Sequence, residues 1–269
     1  MAANDTTFAG SIPALYDRYL GPLLFEPYAE DLALRLADLT SGALLETASG
    51  TGIVTQALLR RLPVAVGVTA TDLNQAMVDF AAGKAGMARA TLRQADALAL
   101  PFPADHFDAV VCQFGAMFFP DRVAGYREAR RVLKPGGRLA FNIWDGIAHN
   151  AAAQCVTDAL AARFPDDPPR FMARTPHGHH DTGVIRRELA EAGFDRITLE
   201  TVSHTSRAAS PREPAIGYCQ GTPLRGEIEA RAPQGLSAAT DAVEAALAAR
   251  FGTGPFAAPM QAHVIVAVK

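Results

Sequence analysis

Residues 44–59 read LLETASGTGIVTQALL, and this stretch decides the fold. A short apolar run ends in Glu46, passes through Ala48, Ser49, Gly50, Thr51 and Gly52, and enters a helix-period stretch that Pro63 stops. Strand, small-residue turn and helix in that order open a β-α-β unit. Glycine at such a turn lets the backbone approach a ligand without a Cβ in the way, and the N–H groups at the helix start hold its oxygens. The dinucleotide pattern G-x-G-x-x-G is incomplete, because Thr55 stands where the third glycine would pack helix on strand. Glu46 would also set a carboxylate beside a pyrophosphate, which is unfavourable at low dielectric. The turn therefore suits a ligand that brings a cation.

Working outward, residues 43–145 alternate short apolar runs with helix-period stretches, as a buried parallel sheet requires. VAVGVTATD is a β-branched strand ending at Asp72, and the helix after it takes Asn74 as N-cap and Gly86 as stop. ATLRQADA reaches Asp96, and FDAVVCQF (107–114) is apolar enough for the middle of the sheet. VAGYREARRVL forms a helix, Lys134-Pro135-Gly136-Gly137 a tight turn, and RLAFNIWD (138–145) another strand. Later come a helix over NAAAQCVTDALAARF, a Pro/His-rich loop (164–181), a helix over VIRRELAEAGF and the strand RITLETVSH. Residues 205–257 hold one helix, TDAVEAALAARFG, and HVIVAVK is the last strand. Near the amino terminus Leu32, Leu36 and Leu39 recur at helical spacing, behind a cluster of Tyr16, Tyr19, Phe25 and Tyr28.

Composition narrows the function. Twenty-five basic against 28 acidic residues in 269 give a net charge of -3, which offers no positive field to a nucleic acid. No run of about 18 apolar residues occurs, so no membrane span is expected. Cys112, Cys155 and Cys219 lie too far apart for a thiolate metal pair or a disulfide framework. With no signal-peptide-like run, a cytoplasmic protein is expected.

Three acids fall after three successive strands: Glu46, Asp72 and Asp96. In open parallel sheets ligands bind beyond the carboxyl ends of the strands, and an acid there accepts both ribose hydroxyls. S-adenosylmethionine matches the set, since it carries an ammonium, a sulfonium, a ribose diol and an adenine amine, and no phosphate.

At this point the sequence resembles the class I S-adenosylmethionine-dependent methyltransferases, in particular the small-molecule branch typified by ubiquinone/menaquinone biosynthesis methyltransferases. The resemblance rests on ETASGTG, ATDLNQAM, QADALALPFPADHFDAVVCQFG and RVLKPGGRLAFNIWD, and covers about residues 10 to 145 well. It implies an α/β fold, a Rossmann-like doubly wound, mostly parallel seven-stranded sheet with helical insertions forming a lid. It further implies Glu46 near the methionyl amine and Ala48, Ser49, Gly50 and Gly52 in the glycine turn. Asp72 would sit on the ribose, Leu73 and Met77 beside the adenine, Asp96 and Ala97 on its amine, and Gln113 and Phe114 on the methionyl side. Tyr16 and Tyr19 complete the candidate set. Ala48 and Ser49 depart from the family, where Gly and Cys are common. The expected organisation is a helical cap (1–40), a cofactor-binding core (41–145), a lid (146–180), a core helix and strand (181–204), a second lid (205–257) and a final strand (258–269).

Displacement at a sulfonium needs alignment and, for a hydroxyl or carbon nucleophile, proton removal. Candidate bases are His149, His177, His179, His180 and His204, with none singled out. A metal cluster over His177–Asp181 is not expected, since adjacent ligands rarely converge on one ion, and Asp181 or Thr182 reads better as a helix cap. Trp144 lines the pocket or belongs to the core. QFGAMFFPDR lacks the Asn- or Asp-Pro-Pro-aromatic signature of base and amide N-methyltransferases, and Phe164, Phe171, Met172, Tyr218, Leu224 and Phe256 suit a small, partly hydrophobic acceptor at O, C or N. The alternatives are an NAD(P)-dependent oxidoreductase and a non-catalytic cofactor- or partner-binding module.

Overall fold

Apolar runs too short for helices pair into one seven-stranded sheet of order β3-β2-β1-β4-β5-β7-β6. The computed structural model describes residues 10–269. In chain order the elements are α1 (Ile12–Leu15), a π-helical stretch (Tyr16–Phe25), α2 (Glu26–Arg35), β1 (Gly42–Glu46), α3 (Ile53–Arg61), β2 (Val66–Asp72), α4 (Gln75–Ala82), β3 (Ala90–Gln94), β4 (Phe107–Gln113) and α5 (Arg122–Val132). There follow β5 (Leu133–Trp144), α6 (Ala151–Arg163), α7 (Phe171–Arg174), α8 (Thr182–Glu191), β6 (Arg196–Ala208), α9 (Arg212–Gln220), α10 (Leu224–Arg231), α11 (Leu236–Phe251) and β7 (Phe256–Val268). The chain divides into two compact units. One, here the sheet unit, comprises Glu26–Ile143, His180–Val202 and His263–Lys269; the other, the helical unit, comprises residues as far as Phe25, Trp144–His179 and Ser203–Ala262.

β1 to β5 run parallel, with Leu44 beside Val68 and Ala109, and β4 takes the central place that its apolar sequence implied. β7 runs against its neighbours: Gly136 meets Lys269 while Asp145 meets Gln261. The pleat sends Leu44, Val68, Ala109, Val111 and Ala140 to one face, where they meet Leu32 and Leu36, and Val54, Ala57 and Leu58 of α3. Leu39 is partly buried against the same cluster. On the other face Tyr126 of α5 packs on Phe141 of β5, ring centroids 5.2 Å apart. Helices on both faces make the sheet doubly wound.

Several boundaries differ from the expectations. α4 stops at Gly83, and Gly86, at φ 85°, instead starts a 3-10 turn over Met87–Arg89. Asn74 caps α4 without its side chain; its backbone N–H instead donates to Asp72. β3 ends at Gln94, two residues before Asp96. The Lys134–Gly137 segment is not a turn between helix and strand. It lies inside β5 as a bulge, since pairing jumps from Phe107 with Leu133 to Ala109 with Arg138, and the Gly136 N–H and Gly137 carbonyl bond to Lys269. The Pro/His-rich loop contains α7, and residues 205–257 hold three helices rather than one. Pro211 and Pro223 stand at the starts of α9 and α10, where proline is tolerated, and a Cβ on Gly217 would come 2.6 Å from Leu20. The two prolines thus mark helix starts, and the glycine a close-packing point.

Candidate functional site

The glycine turn is fastened to the strand ends on either side. Thr47 N–H donates to the Val111 carbonyl and Ser49 N–H to the Thr71 carbonyl, both at 2.9 Å. Ala48, Gly50 and Gly52 all adopt left-handed backbone, with φ of 52°, 55° and 80°. A Cβ placed on Gly50 would meet nothing within 4 Å, so space lies open over the turn. Alanine is strained in that region, and the methyl of Ala48 is accommodated by Gly115, whose own Cβ would lie 2.4 Å from it. The substitution of the family's common glycine is thus matched by a glycine after β4.

Glu46 is buried, 1% exposed, and the Thr55 hydroxyl donates to its Oε2 at 2.5 Å. Thr55, read only as a missing glycine, is the residue that holds the acid. Burial pushes the Glu46 carboxyl up to about 8, against the Thr55 hydrogen bond and with the Asp72 charge adding to the rise. Asp72 closes β2 with both oxygens engaged: Oδ2 accepts Gly50 N–H and Oδ1 accepts Asn74 N–H, each at 2.8 Å. Its carboxyl is also raised by burial, with those hydrogen bonds opposing. Leu73 follows at 49% exposure, one of three large hydrophobics so exposed among the described residues, whereas Met77 is buried.

Asp96 is exposed and folds back on its own loop, Oδ1 accepting Leu98 N–H at 2.9 Å. Ala97 reaches further, for it shares with Thr47 a small hollow between β4, β5 and α5 that Cys112, Ala116 and Phe119 help to line. Gln113 ends β4 half-buried, and Phe114 after it is left-handed at φ 49°. Asn142 holds that conformation, accepting Phe114 N–H at its Oδ1 at 3.0 Å, while the Phe114 ring stands edge-on to Tyr28 at 5.3 Å. A lone polar residue inside the apolar run LAFNIW was the signal for Asn142.

In the helical unit Tyr16 stacks on Phe25 at 4.7 Å, Phe25 leans on Trp144 at 6.3 Å, and Trp144 on His177 at 5.9 Å. Tyr19 is half-buried, with the Arg18 guanidinium 5.1 Å from its ring. His177 and His179 are buried, His204 half-buried and His149 exposed; His180, in the sheet unit, is exposed. Asp181 caps α8, accepting from Gly183 and Val184. Among the described residues no group of three or more His, Cys, Asp or Glu is placed to hold a metal ion, and no helix is long and apolar enough to cross a membrane.

This arrangement has relatives. A family model described as "Methyltransferase domain" matches residues 45–141. The ubiquinone/menaquinone biosynthesis C-methyltransferase of Paraburkholderia phymatum is 31% identical over 170 residues, 59% of this chain and 70% of that protein. Its counterpart in Pseudomonas aeruginosa (strain LESB58) is 29% identical over 184 residues, 63% of this chain and 72% of that protein. In fold, the chain is similar to phosphoethanolamine N-methyltransferase 2 of Haemonchus contortus in complex with S-adenosyl-L-methionine, at a TM-score of 0.62 and 16% identity, covering 100% of this chain and 60% of that one. With the doubly wound sheet, the glycine turn and the strand-end acids in place, the chain belongs to the class I S-adenosylmethionine-dependent methyltransferases.

Proposed function

We propose that the sheet unit binds S-adenosylmethionine across the carboxyl ends of β1, β2 and β4, and that the helical unit takes a small aromatic acceptor bearing a hydroxyl group. The observation that carries the cofactor placement is Asp72, a buried carboxylate tied to the glycine turn through Gly50 and followed at once by the exposed Leu73. Its remaining lone pairs suit a ribose diol, and Leu73 offers an apolar face to an adenine. Open space over Gly50 leaves room for the methionyl portion, and Glu46, which holds its proton at neutral pH in the free protein, ionises against the incoming ammonium. Ala97 N–H and Asp96 read the adenine edge, Met77 backs it from the core, and Gln113 and Phe114 border the methionyl arm.

When bound, the cofactor supplies a methyl group on a sulfonium whose leaving group is a neutral thioether. The protein's share is alignment and exclusion of water. The aromatic series Tyr16, Phe25, Trp144 and His177 supports a flat acceptor, in keeping with the quinone-biosynthesis C-methyltransferases among the relatives. The segments expected as lids, 146–180 and 205–257, shield that acceptor, and three buried cysteines without disulfides accord with a reducing cytoplasm.

The test is calorimetric titration with S-adenosylmethionine, S-adenosylhomocysteine and NADH, followed by labelled methyl transfer to hydroquinones, phenols and amines. Micromolar binding of the first two, with transfer to a hydroquinone or phenol, is expected. Binding of NADH alone overturns the cofactor placement, and transfer confined to amines overturns the acceptor class.

A further inference from the structure

Between β3 and β4 the chain runs from Gln94 to Phe107 with neither helix nor strand, and Asp96 and Ala97 stand in this crossing. Pro101 and Pro103 bring no N–H to it, so it is poorly equipped to join a ladder. Its own bonds turn it only locally: Leu98 N–H donates to Asp96 Oδ1 at 2.9 Å, and Ala99 N–H to the Asp96 carbonyl at 3.1 Å.

Anchorage comes from two side chains of α5, Glu128 and Arg131. Glu128 Oε2 accepts Leu100 N–H at 2.9 Å. Arg131 donates from Nη2 to the Leu100 carbonyl at 2.9 Å and from Nη1 to the Phe102 carbonyl at 2.8 Å. The two side chains also bind each other, Nε to Oε1 at 2.7 Å and Nη2 to Oε2 at 2.9 Å. Both backbone groups of Leu100 are thus held by one ion pair, and Leu100 lines with Ala97 the same hollow beside Tyr126. A guanidinium offers its donors in a fixed plane, which serves two carbonyls and a carboxylate together. At 37% and 21% exposure the pair itself adds little to stability, so what it fixes is the path of the loop. All of these residues belong to the sheet unit.

We propose that Glu128 and Arg131 are positioning residues for cofactor selectivity, holding the 95–104 loop so that Asp96 and Ala97 meet the amine of the adenine. The assignment rests on the reading of those two residues as the adenine contacts. Glu128 and Arg131 act on them through Leu100 and Phe102, and by linkage adenine binding tightens the same bonds in return.

Calorimetry on the full chain compares S-adenosylhomocysteine with S-inosylhomocysteine, whose base carries an oxygen in place of the amine. R131K keeps the charge and loses the planar fork; E128Q keeps an oxygen for Leu100 N–H and loses the charge that orients Arg131. Wild-type protein is expected to prefer the adenine ligand by roughly 10-fold or more, because a carboxylate that meets an amine rejects an oxygen there. In each variant S-adenosylhomocysteine should bind roughly 10-fold more weakly while S-inosylhomocysteine affinity and the thermal midpoint change little, so that the preference nears unity. Equal weakening of both ligands, as general loosening would give, overturns the proposal, and so does an unchanged preference in the variants. Amide exchange in the wild type supplies a test that needs no variant. At equal saturation, exchange at Leu100 should slow more with S-adenosylhomocysteine than with S-inosylhomocysteine, and equal slowing overturns the proposal. Wild-type protein that binds both ligands alike overturns the adenine reading and this assignment with it, whereas failure to bind either overturns the cofactor placement as a whole.

Discussion

Replacing Glu46 with Gln changes how stability depends on pH. Burial raises the Glu46 carboxyl from its ordinary 4.5 to about 8, although Thr55 donates to it. A group that holds its proton more tightly folded than unfolded opposes folding between those two values. Below pH 4.5 it contributes nothing to the balance. As pH rises the unfolded chain ionises first, so stability falls by about 1.4 kcal/mol per pH unit until the folded group ionises too. The penalty is about 3 kcal/mol at pH 7 and about 5 kcal/mol above pH 8. Glutamine keeps the shape and an oxygen for the Thr55 hydroxyl, and carries no titratable proton, but an unpaired amide hydrogen costs about 1–3 kcal/mol at every pH. Urea unfolding of both proteins from pH 5 to 8.5 reads the difference. The wild type should lose about 4 kcal/mol relative to the variant across that range. Parallel stability curves would refute the reasoning, whatever the offset between them.

Asp72→Asn should weaken S-adenosylhomocysteine binding by about 1.5–3 kcal/mol, measured by calorimetry, because a charged acceptor is lost; unchanged affinity would put the ribose elsewhere. Gly50→Val should abolish that binding, since its side chain enters the open space over the turn, while the left-handed backbone at φ 55° costs about 1–2 kcal/mol of stability. Retained tight binding would displace the site from the glycine turn. Gly115→Ala should destabilise by about 1–3 kcal/mol, its Cβ falling 2.4 Å from that of Ala48 and 2.8 Å from the Cys112 sulfur. Combining it with Ala48→Gly should recover part of the loss in thermal unfolding, and strict additivity of the two would show that they are not coupled.

The sheet unit was legible because its information is local. A strand, a glycine turn and the acids that close β1 and β2 are written within a few residues, and the apolar character of residues 107–114 announces the centre of the sheet. Pairing across the chain is not written that way. Nothing near Gly136 says that Lys269 will bond to it and draw the glycines into a strand. Nothing near Gly217 says that its missing side chain makes room for Leu20, and α9 went unseen. Thr55 was noticed for what it was not, a third glycine, when its hydroxyl is what holds Glu46. The bond from His177 to Asp145 spans 32 positions and has no local trace.

The place of β7 between β5 and β6 bears on how the chain is made. β6 precedes β7 in sequence yet has no neighbour in the sheet until β7 arrives. During synthesis, therefore, β5 presents a bare edge of unpaired N–H and C=O groups while β6 and the three helices after it are already emerging. Such an edge pairs readily with other chains, and closing it requires contacts far apart in sequence. Protection of the β5 edge therefore depends on β7, the strand that follows β6 and three helices.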